Sequence, residues 1–197
     1  MNHYFTENYS VLTHDRTLEL NIWDFDLKFL SNKGLFACDK IDKASIIMLE
    51  NLPSLSGSVL DMGCGYGTLG IALAKKYGVT LTMADINSIA LKYAEQNAAL
   101  NGIKATFVKS DCFKNITGTF DTIVLNPPIH AGKDIMFNMY ENAINHLNYG
   151  GALYVVIYKK HGAESSMKKI QEVFGNLQIL YKKNGLFVLE GIRQSQS

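Results

Sequence analysis

The period of hydrophobic and polar positions changes several times along this chain, and each change marks an element. Leu18 to Leu30, LELNIWDFDLKFL, alternates apolar with polar residues on either side of Trp23-Asp24, which predicts two short strands joined by a tight turn. From Asp42 the run DKASIIMLENL takes helical spacing and stops at Pro53. Strand and helix then alternate. Val59 to Met62, Thr80 to Ala84, Thr106 to Lys109, Phe120 to Leu125 and Leu153 to Tyr158 read as strands. Thr68 to Lys76, Ser88 to Asn101, Asp134 to Leu147 and Glu164 to Phe174 read as helices. The tail, Leu177 to Tyr181 and Leu186 to Glu190 about Asn184-Gly185, predicts a closing antiparallel hairpin. The expectation is an α/β fold: a mostly parallel sheet with helices on both faces, a C-terminal antiparallel hairpin and a short N-terminal β-hairpin extension.

In open sheets of this kind ligands settle at the carboxyl ends of strands, near the point where strand order reverses. Residues just after strands are therefore the ones to inspect. The first of these strands runs into DMGCGYGTLG, residues 61 to 70, in which Gly65, Gly67 and Gly70 satisfy the spacing of a dinucleotide fingerprint. Glycines allow a sharp turn and a close approach by a ligand, but a tight turn without a ligand would read the same way. Asp85, 24 residues beyond Asp61, ends the second strand, where an acid can accept from ribose hydroxyls. Its competing role is to cap the next helix, which Asn87 can do instead. Asp111, after the third strand, is placed to accept from an adenine amine, with a turn-forming aspartate as the alternative. No Lys or Arg occurs from Val59 to Ala74, which suits a small zwitterionic group attached to adenosine.

The fourth strand ends in Asn126-Pro127-Pro128-Ile129. Each proline fixes its own φ and restricts the residue before it, so the Asn126 amide and the Pro127 carbonyl are held as two rigid acceptors. A planar exocyclic amine bonded to both would turn its lone pair toward an electrophile on the other side. Positioning of this kind alone lowers a barrier by roughly 7 to 11 kcal/mol, with no strongly perturbed general base required. His130 is an optional proton acceptor, although a surface-loop role suits it as well.

Together DMGCGYGTLG, MADIN, SDCF and LNPPIHAGK resemble the class I S-adenosylmethionine-dependent methyltransferases of the "small domain" family, which includes the guanine-N2 methyltransferases of small-subunit ribosomal RNA. GLFACDKIDKAS, residues 34 to 45, and YKKHGAESSMKKI after the fifth strand extend the similarity over nearly the whole chain. The resemblance implies a Rossmann-like fold with a seven-stranded sheet and S-adenosyl-L-methionine as cofactor. It implies that Gly63, Gly65 and Gly67 line the methionine part, with Asp61 steering the amino group through the loop. Asp85 would then hold the ribose and Asp111 the adenine, Ile86 and Cys112 would also contact the cofactor, and Asn126 to Ile129 would take the acceptor amine. Phe36 and Asp42 would flank the cofactor entrance. The chain departs from the family in two respects: Ile129 replaces a frequent aromatic residue, and the ribosomal RNA members carry a duplicated domain of which this chain has one copy. RNA contacts would come from lysine-rich loops, the N-terminal strands or a second subunit, which leaves a homodimer open.

Composition narrows the alternatives. At 197 residues and 47% hydrophobic, the chain fits one domain, with residues 1–40 as the hairpin extension and 41–197 as the catalytic core. The first residues lack a leader pattern and no run is long enough to span a bilayer, so the expectation is a cytoplasmic protein. Cys38, Cys64 and Cys112 have no ligand spacing and read as reduced thiols; with five scattered histidines, no metal is expected. Net charge is +1, which argues against a generally basic surface. The pairs Lys75-Lys76, Lys159-Lys160, Lys168-Lys169 and Lys182-Lys183 read as solvated ends of elements, a local basic patch being the alternative. Trp23 reads as a core anchor. Besides the RNA N2-methyltransferase, the pattern admits a protein amide or small-molecule amine as acceptor, a nucleotide-dependent oxidoreductase, and a non-catalytic RNA assembly factor. Asn-Pro-Pro has no place in hydride transfer, which counts against the oxidoreductase.

Overall fold

A computed structural model describes residues 16–128 and 132–195. The N-terminal hairpin pairs β1 (Arg16–Ile22) with β2 (Phe25–Ser31) in antiparallel register, Leu20 opposite Leu27 and Ile22 opposite Phe25. Its turn is Trp23-Asp24, with Trp23 at φ 54°. The hairpin buries Leu18, Leu20, Ile22, Leu27 and Phe29 on one face, as alternation requires. Trp23 is only half-buried: its ring meets the Tyr77 edge, and Lys76 Nζ lies 3.9 Å above it.

The main sheet contains seven strands in the order β5-β4-β3-β6-β7-β9-β8. They are β3 (Ser58–Met62), β4 (Thr80–Asp85), β5 (Ala105–Lys109), β6 (Phe120–Leu125), β7 (Leu147–Tyr158), β8 (Gln178–Lys183) and β9 (Leu186–Ile192). β3 to β7 run parallel to one another, and β9 and β8 close the edge antiparallel. Strand order reverses between β3 and β6, which opens a crevice at their carboxyl ends. The two faces of the sheet have separate cores. Val59, Leu81, Met83, Val124 and Val156 pack with α1 (Lys43–Asn51), α2 (Thr68–Tyr77), α3 (Ser88–Leu100) and the hairpin. Leu60, Met62, Ile123, Leu125 and Val155 pack with α4 (Gly132–Ala143) and α5 (Ala163–Phe174). A sheet covered on both faces explains why its central strands read as unbroken apolar runs.

One boundary differs from expectation. The helix predicted over 134–147 ends at Ala143, a 3-10 turn covers Ile144–His146, and β7 begins at Leu147 instead of Leu153. Gly150 and Gly151 lie inside this strand, and Gly151 is required there. A Cβ on Gly151 would come within 2.9 Å of the Asn148 and Asp121 carbonyl oxygens, so only glycine lets β7 run this close to β6. None of the described helices is long and apolar enough to cross a membrane.

Candidate functional site

The carboxyl ends of β3, β4, β5, β6 and β7 form one rim, which carries most of the residues singled out by the sequence. Asp61 lies in β3, buried beneath the glycine loop, where its Oδ2 accepts from the Gly70 N–H at 2.8 Å. It faces the first turn of α2 and braces that turn against the strand. Burial, then the nearby Asp85 carboxylate, overcome the lowering effect of the Gly70 bond and push the Asp61 pKa up to about 7.

Gly63 and Gly65 adopt positive φ, and nothing lies within 4 Å of where their side chains would project, so the loop offers open space to a ligand. Gly67 differs: a Cβ there would meet Ile71 Cδ1 at 2.8 Å and Met83 Sδ at 3.3 Å, so it faces packed core as well as capping α2. The Gly63 and Cys64 N–H groups donate to the Ala84 carbonyl, which ties the loop to β4. Cys64 is buried, and burial with the Asp61 and Asp85 charges holds its thiol protonated.

Asp85 accepts from the Gly65 N–H through Oδ2 at 2.8 Å and from the Asn87 N–H through Oδ1 at 2.9 Å. The Ile86 N–H also bonds this carboxylate, and the acceptor capacity that remains is open to a ribose hydroxyl. Capping of α3 falls to Asn87, whose Oδ1 accepts from Ile89 and Ala90. Burial raises the Asp85 pKa, partly offset by these N–H donors. Ile86 is half-buried beside it. Asp111 is exposed after β5 and paired with Lys114; with Cys112, Phe113, Asp134, Ile135 and Asn138 it lines a cleft of about 470 Å³. Burial, followed by the Asp111 charge, raises the Cys112 thiol pKa. The open glycine loop, the spare acceptors of Asp85 and this cleft together fit an adenosine-bearing ligand.

Asn126 follows β6 and is clamped from α1. Its Nδ2 donates to Asp42 Oδ2 at 2.8 Å and to Ser45 Oγ at 3.1 Å. Asp42 is also the N-cap of α1 and accepts from the Ser45 N–H at 2.9 Å. Because a carboxylate only accepts, it fixes which end of the amide is nitrogen. Asn126 Oδ1 therefore points away from α1, with no hydrogen-bond donor among the described residues. A cleft beside it is lined by Asn126, Pro127, Pro128, Met136, Ile157, Tyr158 and His161. Ile129 and His130 lie outside the described residues.

Asp42 thus reaches the site as the partner of Asn126. Phe36 is 46% exposed in the loop before it, and that loop is held to the glycine turn by the Tyr66 hydroxyl on the Ala37 carbonyl at 3.4 Å. Sequence reading missed Ser45 and Tyr158. Ser45 stands three residues after Asp42, a capping interval that could have revealed it; Tyr158 ends an apolar run and carries no local signal. Among the described residues no cluster of His, Cys, Asp or Glu is arranged for a metal.

A doubly wound sheet with a glycine loop, an acid at the end of β4 and an Asn-Pro-Pro at the switch point defines a Rossmann-like protein with its ligand rim at the strand carboxyl ends. Residues 26–190 match the family model "Methyltransferase small domain", and the chain belongs to that family. The Bacillus subtilis protein YbxB is 34% identical over 194 residues, 95% of this chain and 96% of that one. The ribosomal RNA small subunit methyltransferase C of Haemophilus ducreyi is 36% identical over 167 residues, 81% of this chain and 50% of that one. Among solved structures, the 16S rRNA N2 methyltransferase of T. thermophilus, in complex with AdoMet and guanosine, superimposes with TM-score 0.83 at 27% identity, covering 92% of this chain and 51% of that one. The chain spans about half the length of these methyltransferase relatives.

Proposed function

We propose that this protein is a cytoplasmic S-adenosylmethionine-dependent N-methyltransferase whose acceptor is the exocyclic N2 amine of a guanine in small-subunit ribosomal RNA. The observation that carries the reading is the Asn126 amide, tied down through Nδ2 at the edge of the cleft, which leaves Oδ1 as a ready acceptor. An aryl amine that donates to Asn126 Oδ1 and to the Pro127 carbonyl has its plane set, and its lone pair stands perpendicular to that plane. The cofactor supplies a sulfonium methyl group as electrophile. Asp85 holds the ribose end, Asp111 the adenine end, and the Gly63–Gly65 backbone admits the methionine end. The fixed dipoles of Asn126 and Pro127 stabilise positive charge as it develops on nitrogen. Nitrogen would gain the methyl carbon as its bond to the sulfonium sulfur breaks, the bonding pair staying on sulfur to leave a neutral thioether, and nitrogen would then release one proton, acidic after transfer, to solvent.

The T. thermophilus relative supports the guanine N2 as acceptor, and the H. ducreyi relative supports small-subunit ribosomal RNA as substrate. The test is mass spectrometry of ribosomal RNA nucleosides from cells with and without the protein. The reading requires N2-methylguanosine to fall when the protein is removed and to return with the parent chain, and Asn126→Ala not to restore it. An unchanged nucleoside profile would overturn it.

A further inference from the structure

Four lysines lie along the same rim, two of them one strand beyond Asn126 after β7 and two at the end of the edge strand β8. β7 ends at Tyr158, which lines the cleft beside Asn126, and the chain passes at once into a 3-10 turn, Lys159–His161. Tyr158 pairs with Leu186 across β9, and Leu186 pairs with Lys183 across β8. Tyr158, Leu186 and Lys183 thus form one row across the sheet. With strands about 4.8 Å apart, the Lys183 backbone lies roughly 10 Å from that of Tyr158.

The connection is rigid at both ends. The Lys159 N–H donates to the Gly185 carbonyl at 2.6 Å, which locks the 3-10 turn against the β8–β9 turn. Asn184 and Gly185 both take positive φ, at 51° and 72°, which holds that turn tight. Lys159, Lys160, Lys182 and Lys183 are exposed. Lys159 leans toward Glu164 at 3.5 Å, whereas Lys160, Lys182 and Lys183 have no carboxylate partner among the described residues. Lys160 Nζ lies 5.8 Å from the Tyr158 ring centroid and Lys182 Nζ 5.6 Å from that of Phe187. In a chain with a net charge of only +1, these cations concentrate positive charge at one edge, with Lys183 on the Tyr158 face of the sheet and Lys182 on the Phe187 face. That edge leads directly to an aromatic ring at the mouth of the acceptor cleft.

We propose that the Lys159-Lys160 turn and the Lys182-Lys183 hairpin form a phosphate-binding track that docks the RNA backbone and delivers the flanking base onto Tyr158 beside Asn126. The track deepens the function proposed above and rests on its choice of RNA as substrate. Cations along a rigid edge bind a polyanion without regard to sequence and release its counterions, and a ring at the end of the track gives a base a face to rest on.

The experiment compares two double variants of equal net charge in the full chain. Lys160→Gln/Lys183→Gln removes two cations of the track. Lys92→Gln/Lys104→Gln removes two exposed cations at the opposite edge of the sheet, on α3 and before β5. Binding of a fluorescein-labelled RNA hairpin is followed across a salt series, together with methyl transfer to isolated small subunits. The track variant should lose about 1 to 2 from the slope of log affinity against log salt, and its KM for subunits should rise about tenfold while kcat and cofactor affinity hold. The control should resemble the parent. Equal effects in both variants, no effect in either, or a KM defect on subunits without weaker binding of bare RNA would each overturn the proposal; the last would mark a protein contact instead. If the parent binds RNA through these lysines but transfers no methyl to the subunit, the track stands and the proposed reaction falls.

Discussion

Asp42 and Asp61 are two carboxylates of the same rim with different partners. Asp42 spends one oxygen on three donors: the Ser45 N–H, the Ser45 hydroxyl and the Asn126 amide. Serine at 42 could still cap α1 but is too short to reach Asn126, while asparagine could do both. Asp42→Ser should therefore lower kcat about tenfold to a hundredfold, the equivalent of roughly 1.4 to 2.7 kcal/mol in barrier, with cofactor affinity and melting temperature near the parent's. Asp42→Asn should retain most of the activity; equal kcat in the Ser variant and the parent would show that the clamp does nothing for transfer. Asp61 is instead held with its pKa raised to about 7 by burial, from an ordinary 3.8. The folded chain then binds more protons than the unfolded one between those values, so this group's contribution to stability is greatest below pH 4 and is lost as pH rises toward 7. Urea unfolding from pH 5 to 8 should show parent stability falling relative to that of Asp61→Asn, which still offers Oδ1 to Gly70 but cannot ionise. A constant difference between the two across that range would contradict the raised pKa.

At the scale of elements, the N-terminal hairpin is held to the core by a device that has no sequence period. Asn97 on α3 and Asn101, its C-cap one turn later, act as a surrogate strand for the edge of β2. Asn97 accepts from the Leu30 N–H at 2.6 Å and donates to its carbonyl at 3.0 Å; Asn101 does the same for Lys28, at 3.1 and 2.7 Å. Asn97 Nδ2 also reaches the Tyr66 carbonyl at 2.9 Å, which couples the hairpin to the glycine loop. Asn97→Ala leaves several buried polar groups without partners and should cost about 2 to 4 kcal/mol, with protease cleavage appearing first in the hairpin. Cleavage unchanged in pattern and rate would sink this account of the attachment. The contrast with the main sheet explains what the sequence could reveal. Val59, Leu60, Ile123 and Val124 are read as central strands because both faces are covered, and the Asn184-Gly185 turn because its backbone needs positive φ. The Asn97 bridge joins residues 67 apart, and the early start of β7 depends on contact between backbones. Neither leaves a mark on local pattern. The site divides in the same way: Asp85 and Asn126 follow strands and are legible, whereas the Asp42–Asn126 contact spans 84 residues and had to be seen.

On the scale of the whole molecule, the rim joins strands whose cores are separate, so a ligand bound there stabilises the sheet as a unit. Asp85 ends β4 and grips the glycine loop that follows β3; Asp111 follows β5 and Asn126 follows β6. A ligand that spans the first three ties them together, whereas the proposed reaction puts Asn126 on the acceptor side. For one site, ligand at a hundred times its Kd adds about 2.7 kcal/mol to folding. In a chain of 197 residues that corresponds to a rise in Tm of about 5 to 10 °C. S-adenosylmethionine should produce this rise in the parent and, within a degree or two, in Asn126→Ala. Asp85→Ala should lose most of it, because the ribose loses its acceptors and the Gly65 N–H its partner. NADH, which also carries an adenosine, should give far less, since its pyrophosphate gains nothing from a loop beneath which Asp61 and Asp85 lie. A full rise in Asp85→Ala, or a larger one with NADH, would remove the carboxylate from the ribose site. Loss of the rise in Asn126→Ala would move that amide from the acceptor side of the cleft to the cofactor side, and the division of labour along the rim would have to be redrawn.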